Sequence, residues 1–392
     1  MNVGRTVFSQ LMDFIPMHDF HQAVGRHQGM SRKKRFSHWD QFLCMAFAQL
    51  TFRESLRDIE ACLRSMSSTL YHCGIRGHIA RSTLADANEN RPWQIFHELA
   101  LALIEKARLL YRNDKVLAEL TDAVYAFDST IVDLCLTLFP WAHAAGHVKT
   151  NAAIKLHTLL DLHTKIPTFV RISPANVHDM LMMDALIYEA GAFYVFDRGY
   201  MDFKRLKHID DSKAFFVIRA KNHLRFTRLY SRPIDTSTGL RVDQTIKLDV
   251  WQSRQAYPVH LRRIKFFDRE HDRVIVFLTN HFILDALVIT QLYHQRWHIE
   301  LFFKWIKQHL RIKAFFGTSP NAVRTQIWIA VSVYVLIAIV KKELHLEHSL
   351  YTILQILSVT LFQKEPISQV LTDTIIQTQN PHPANQLNLF NF

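Results

Sequence analysis

Cysteine is scarce in this chain: four in 392 residues, at positions 44, 62, 73 and 135, with no CxxC spacing. That excludes a disulfide framework and a cysteine-based structural zinc site, and it fits a reducing cytoplasm. The 23 histidines lack metal-ligand spacing as well. The most hydrophobic segment, Ile327 to Val340, is about 14 residues long against the roughly 20 that span a bilayer, so it reads as a buried core helix and no membrane partner is expected. The opening stretch MNVGRTVFSQLMDFIPM has no basic region followed by a sustained apolar run, so no secretion signal is expected. Acidic residues are in deficit: 35 Asp plus Glu against 47 Lys plus Arg leave a formal net charge of +12. That balance favours a polyanionic partner, nucleic acid ahead of an acidic membrane surface.

What is present is enough apolar material, 49% of residues, to bury a large core, and enough length for two or three domains. Residues 1–115 read as helical and basic, a DNA-binding domain. Asp40 to Leu50 is an apolar helix, Thr51 with Glu54 suggests a capping box for the next, Ser82 suits another cap, and Pro92 opens a long helix to Tyr111. The basic run Arg32, Lys33, Lys34 and Arg35 suits phosphate contacts.

Near residue 120 the pattern changes. Val124 to Leu134, Ala152 to Leu162 and Ile166 to Ala175 are β-rich runs with short connectors. Asn176 to Ala190 reads as helix, Phe193 to Phe196 as strand, Asp202 to Asp211 as helix and Ala214 to Arg219 as strand. This order is that of a ribonuclease H-like α/β fold with a mixed sheet. The expected organisation is a catalytic core over 120–221 and 284–345, a β-rich insertion over 222–283, a helix from 323 to 343 closing the core, and a C-terminal helical segment with a flexible tail over 346–392.

Two aspartates interrupt apolar strands. Asp128 follows Ala126-Phe127, and Asp197 follows Val195-Phe196. A carboxylate buried there without a partner would cost several kcal/mol, so each needs a counter-charge or an exit to solvent. In the expected sheet their strands are neighbours, so both can reach one place. Asp133 and Asp161 are rival ligands, although Asp133 has the opposite strand parity from Asp128.

A third carboxylate comes from the stretch after Leu284. At about 100° per residue, Tyr293, Arg296, Glu300 and Lys307 share one helical stripe, with Trp297 and Lys304 beside it. Leu292, Ile299, Phe302, Phe303, Ile306 and Leu310 form the apolar side that anchors the helix. A carboxylate suits a hard divalent cation, and Arg and Lys suit phosphate oxygens. Asp128, Asp197 and Glu300 together suit Mg²⁺, and two such ions can cleave a phosphodiester.

The spacing Tyr293, two residues, Arg296, three residues, Glu300, six residues, Lys307 resembles the signature of one branch of the DDE transposases of bacterial insertion sequences. Phe127-Asp128-Ser129-Thr130 and Phe196-Asp197-Arg198-Gly199-Tyr200 resemble that family's other motifs, over about residues 30–345. The resemblance implies a cut-and-paste transposase in which Asp128, Asp197 and Glu300 bind two Mg²⁺ ions, with Mn²⁺ as a substitute. It implies strand cleavage, a hairpin intermediate, strand transfer into target DNA, and a homodimer holding two element ends. Tyr293, Arg296, Lys304 and Lys307 would grip phosphates, and Trp297 would stack on an extruded base. A structure-selective nuclease on the same fold would have less use for the stripe. A transposase-derived DNA-binding protein that has lost activity could dispense with the three acids. At the end of the chain, Gln386, Leu387, Leu389 and Phe390 within QLNLF resemble the short peptide by which bacterial proteins dock on the replication sliding clamp.

Overall fold

The computed structural model describes residues 4–28, 36–112, 122–135, 137–142, 151–309 and 315–372. The N-terminal helices are α1 (Val7–Met12), α2 (Met17–Gln28), α3 (His38–Leu50), α4 (Leu56–Ser65), α5 (Arg81–Asn90) and α6 (Gln94–Tyr111). Strands β1 (Val124–Cys135), β2 (Asn151–Asp161), β3 (Pro167–Pro174), β4 (Phe193–Phe196), helix α7 (Phe203–Asp211) and strand β5 (Phe215–Arg219) follow. Then come β6 (Phe226–Ser231), β7 (Leu240–Leu248), α8 (Trp251–Ala256), β8 (Leu261–Asp268) and β9 (Arg273–Thr279). The chain continues through α9 (Ala286–Gln295), α10 (Trp297–Lys304), α11 (Pro320–Glu343) and α12 (Leu350–Thr360). It divides into two compact units, Met1–Leu103 with Thr325–Phe392, and Ile104–Arg324.

In the first unit α11 is apolar all round, and such a helix needs cover on every side. By length and composition it could cross a membrane, yet 94% of its most apolar window is buried. Its contacts lie with the N-terminal helices: Gln49 Nε2 donates to the Gln326 carbonyl at 3.2 Å, and His97 lies 4.3 Å from the Trp328 ring. From Thr325 onward this helix groups with residues 1–103. The caps differ from expectation. Thr51 ends α3, its hydroxyl donating to the Phe47 carbonyl, while Ser37 with Asp40 forms a capping box and Ser55 caps α4. Ser82 lies inside α5, whose N-cap Ala80 makes no side-chain bond.

The second unit is built on one nine-stranded sheet of order β3-β2-β1-β4-β5-β9-β8-β7-β6. Strands β1, β4 and β5 run parallel, and the other pairings are antiparallel. This is the mixed sheet of a ribonuclease H-like α/β fold. Residues 222–283 are β-rich as expected, but they extend the same sheet, because Val217, Ile218 and Arg219 of β5 pair with β9. The expected helix over 176–190 is a shorter 3-10 turn, Asp179–Ala185, after which Leu186 is extended. Its buried Met182 and Met183, with Leu186, join the sheet's core, and Val177, Met180 and Tyr188 pack against it. That core, with Phe127, Tyr194, Phe196, Tyr200 and Leu206, covers one face. Helices α9 and α10 cover the other, where α9 meets β4, β5 and β7 and α10 meets β1.

Candidate active site

The site begins with register. Phe127 of β1 pairs with Phe196 of β4 in a parallel ladder. The next residues, Asp128 and Asp197, therefore leave adjacent strands at the same level, at the carboxyl end where α/β sheets place their ligands. From Asp128 onward β1 keeps only β2 beside it, so the carboxylate sits at an opening in the sheet. Asp197 is the residue before a 3-10 turn, Arg198–Tyr200.

Helices α9 and α10 bring the stripe to this point. Their apolar side is buried, with Leu292, Ile299 and Ile306 at 0% exposure; Leu310 lies outside the described residues. The helical path tightens at Arg296, where the Arg296 N–H bonds the Tyr293 carbonyl and the Ile299 N–H bonds the Arg296 carbonyl. Tyr293, packed 4.8 Å from the Phe277 ring, donates its hydroxyl to Asp197 Oδ1 at 3.1 Å. Burial pushes that phenol up to about 12. Arg296 donates from one terminal nitrogen to Asp128 Oδ2 at 3.0 Å and from the other to Glu300 Oε1 at 2.6 Å. One guanidinium thus spans both acids and holds those oxygens within about 8 Å of each other. Its buried Nε–H has no acceptor among the described residues.

Burial pushes the Asp128 carboxyl up to about 6; the Ser129 N–H and Arg296 oppose this, while the charges of Asp197 and Glu300 add to it. An open cleft of about 310 Å³ adjoins the acids, lined by Asp128, Ser129, Thr130, Glu300, Phe303, Lys304 and Lys307. Lys307 reaches it from a π-helical turn, Trp305–His309, an irregularity frequent at functional sites. Trp297 is 58% exposed, so its ring is free of the core.

The structure therefore brings together Asp128, Asp197, Glu300, Tyr293 and Arg296, with Lys304 and Lys307 at the cleft. Tyr293 and Arg296 engage carboxylates here. The rivals stand apart: Asp133 is exposed, and Asp161 accepts from the N–H groups of His163 and Thr164 in a turn. Arg32, Lys33, Lys34 and Arg35 lie outside the described residues, as do Gln386, Leu387, Leu389 and Phe390. One residue was missed by the sequence reading. Ile218 pairs with Phe196, so Arg219 is level with Asp197, and its charge acts on Tyr293. Its signal was the one that marked Asp197, a charge ending an apolar strand.

The donor set suits a hard divalent cation: three carboxylates, with a guanidinium supplying the positive charge between two of them. Among the described residues, the acidic and histidine groups whose ligand atoms all lie within 4.8 Å of one another are Asp268, Glu270 and His271, in the β8–β9 turn. Asp128, Asp197 and Glu300 do not all lie within that distance of one another.

Comparison with known proteins identifies the family. The family described as "Transposase DDE domain" matches residues 119–336, and a domain of unknown function (DUF4372) matches residues 3–76. A Sinorhizobium fredii chain named transposase y4zB is 31% identical over 77% of this chain and 81% of its own. A Geobacillus stearothermophilus chain named as the transposase of insertion sequence element IS5377 is 30% identical over 65% of this chain and 66% of its own. The piggyBac transposase synaptic complex with hairpin DNA covers 97% of this chain and 81% of that one at 10% identity, with a TM-score of 0.46, too distant to carry an argument. The family's divalent-metal dependence accords with the acidic donor set. With more than half its length matched by the family and a relative aligned over most of both chains, this protein belongs to the DDE transposases of bacterial insertion sequences.

Proposed function

We propose that the chain catalyses cut-and-paste transposition, with Asp128, Asp197 and Glu300 as the acidic triad. The observation that supports this best is the convergence of Asp128 and Asp197, on adjacent parallel strands, with Glu300, which Arg296 ties to Asp128. The three carboxylates would hold two Mg²⁺ ions, with Mn²⁺ as a substitute. When bound, such ions supply Lewis-acid activation of the attacking oxygen and neutralise the leaving one. Lys304 and Lys307 in the cleft orient the scissile phosphate as charge-assisted donors, while Arg296 fixes Asp128 and Glu300 beside it. Tyr293 holds Asp197 in place. Trp297, exposed beside the cleft helix, offers a ring on which an unstacked base can rest.

In the first step a water oxygen bonds to phosphorus, the bond to the 3′-oxygen breaks, and that oxygen takes up a proton. The freed 3′-hydroxyl then attacks the opposite strand, displacing that strand's own 3′-oxygen and closing a hairpin. Hydrolysis reopens the hairpin, and the same 3′-hydroxyl attacks target DNA. Two copies pair the element ends, in the cytoplasm. The Tyr293, Arg296, Glu300 and Lys307 spacing supports placement in the branch that carries this signature. The QLNLF segment at the end of the chain supports docking on a replication sliding clamp.

The decisive variant is Glu300→Gln. It removes one charge and keeps the shape, so end DNA should still be retarded in a gel while cleavage of that DNA in Mg²⁺ falls below detection. Cleavage at the wild-type rate would refute the triad.

A further inference from the structure

We infer that Asp179 is a positioning residue for Asp128, acting through Ser129; this rests on the reading of Asp128 as a metal ligand. Beyond Phe127 strand β1 has lost β4, and β2 alone pairs with it. A ligand on such a half-supported strand needs another brace. Asp179 supplies one from the face of the sheet opposite α10. It opens the 3-10 turn Asp179–Ala185, which His178 caps by accepting from the Met180 N–H.

The Asp179 Oδ1 accepts the Ser129 hydroxyl at 2.9 Å and lies 3.1 Å from Lys155 Nζ and 3.7 Å from His157 Nδ1. Ser129 and His157 are cross-strand partners, and Lys155, two residues along β2, shares their face. One carboxylate therefore clamps β1 to β2 one residue beyond Asp128. The clamp is itself fixed. Lys155 donates to the Val177 carbonyl at 3.0 Å, and His157, fully buried, pairs through Nε2 with Ser173 of β3 at 2.8 Å.

Ser129 carries the effect across the strand. Its hydroxyl is held by Asp179 on one face, and its backbone N–H donates to Asp128 Oδ1 at 2.8 Å. Tyr200 donates its hydroxyl to the same oxygen at 3.4 Å. The orientation of the Asp128 carboxylate thus depends on Ser129, and that of Ser129 on Asp179. Groups that orient metal ligands in this way typically change metal affinity by about tenfold or more when removed.

The test is direct titration of the full-length protein with Mn²⁺, following free Mn²⁺ by electron paramagnetic resonance. Asp179→Ala and Ser129→Ala should each weaken Mn²⁺ binding about tenfold, and the double variant should be no weaker than either, since both break one link. Asp179→Asn keeps an oxygen for the Ser129 hydroxyl and should recover most of the affinity. If Asp179→Ala does not fold, Ser129→Ala carries the test. Wild-type Mn²⁺ affinity in Ser129→Ala overturns the inference. So does Asp179→Asn binding as weakly as Asp179→Ala, which would leave Asp179 as an ion-pair partner of Lys155 alone. Asp128→Asn is the control. If it leaves Mn²⁺ binding intact, the ligand assignment itself fails; if it abolishes binding while Ser129→Ala does not weaken it, the positioning role alone fails.

Discussion

Arg296 and Asp128, 168 positions apart in the chain, meet at 3.0 Å, and the same guanidinium holds Glu300 at 2.6 Å. It places a positive charge directly between two of the clustered acids. Arg296→Ala leaves those acids to repel one another, an electrostatic cost that a bound cation relieves. The gap between the melting temperatures in Mg²⁺ and in EDTA should therefore widen in this variant. Scanning calorimetry in the two buffers measures it, and an unchanged gap would disprove the role of Arg296 as internal counter-charge.

Stability should fall in mild acid because of His157. Burial holds its imidazole down at about 4 from an ordinary 6.5, with Asp179 partly opposing. As the folded value is the lower one, the unfolded chain binds a proton in that window that the folded chain does not. Stability is full above about 6.5 and declines toward about 4, by about 3 kcal/mol at the limit. His157→Gln, which cannot take up that proton, should flatten this limb in urea denaturation followed from pH 7 down to pH 4.

Lys304 and Lys307 line the cleft beside Glu300. If both meet phosphates, the double variant to Ala should reduce the slope of log affinity against log salt for end DNA by about 2, with affinity falling alike on specific and unrelated duplexes. Fluorescence anisotropy over a salt series gives the slope. An unaltered slope would remove both lysines from the DNA interface.

The terminal QLNLF segment makes a separate prediction. Leu389→Ala with Phe390→Ala should abolish binding of the full chain to a purified bacterial sliding clamp while sparing cleavage of end DNA, because the apolar anchors are lost and the acids are untouched. Surface plasmon resonance with wild-type affinity for the double variant would exclude clamp docking.

Much of the site was legible because its chemistry is written in local pattern. Asp128 stands out as a charge interrupting an apolar strand and Asp197 as one ending a strand, and Glu300 belongs to a helix whose other side is apolar. What the side chains touch was less legible. Tyr293 and Arg296 look equally suited to phosphates and to carboxylates, since a phenol and a guanidinium donate to either. Arg219 escaped notice because its place beside Asp197 depends on the pairing of β4 with β5. Asp179 carries no mark within the stretch 176–190 that reads as helix, since its partners Ser129, Lys155 and His157 lie on two strands.

By itself the amino-acid sequence marked the strands between Val124 and Arg219, the buried face of the helix after Leu284 and three candidate carboxylates, because apolar periodicity and the cost of burying a lone charge act over a few residues. Only the tertiary structure decided that residues 222–283 continue the sheet, that α11 joins the N-terminal helices from Thr325, and that Arg296 bridges Asp128 and Glu300. Those outcomes depend on strand order and register, which are set by pairings between segments far apart in the chain and leave no local mark.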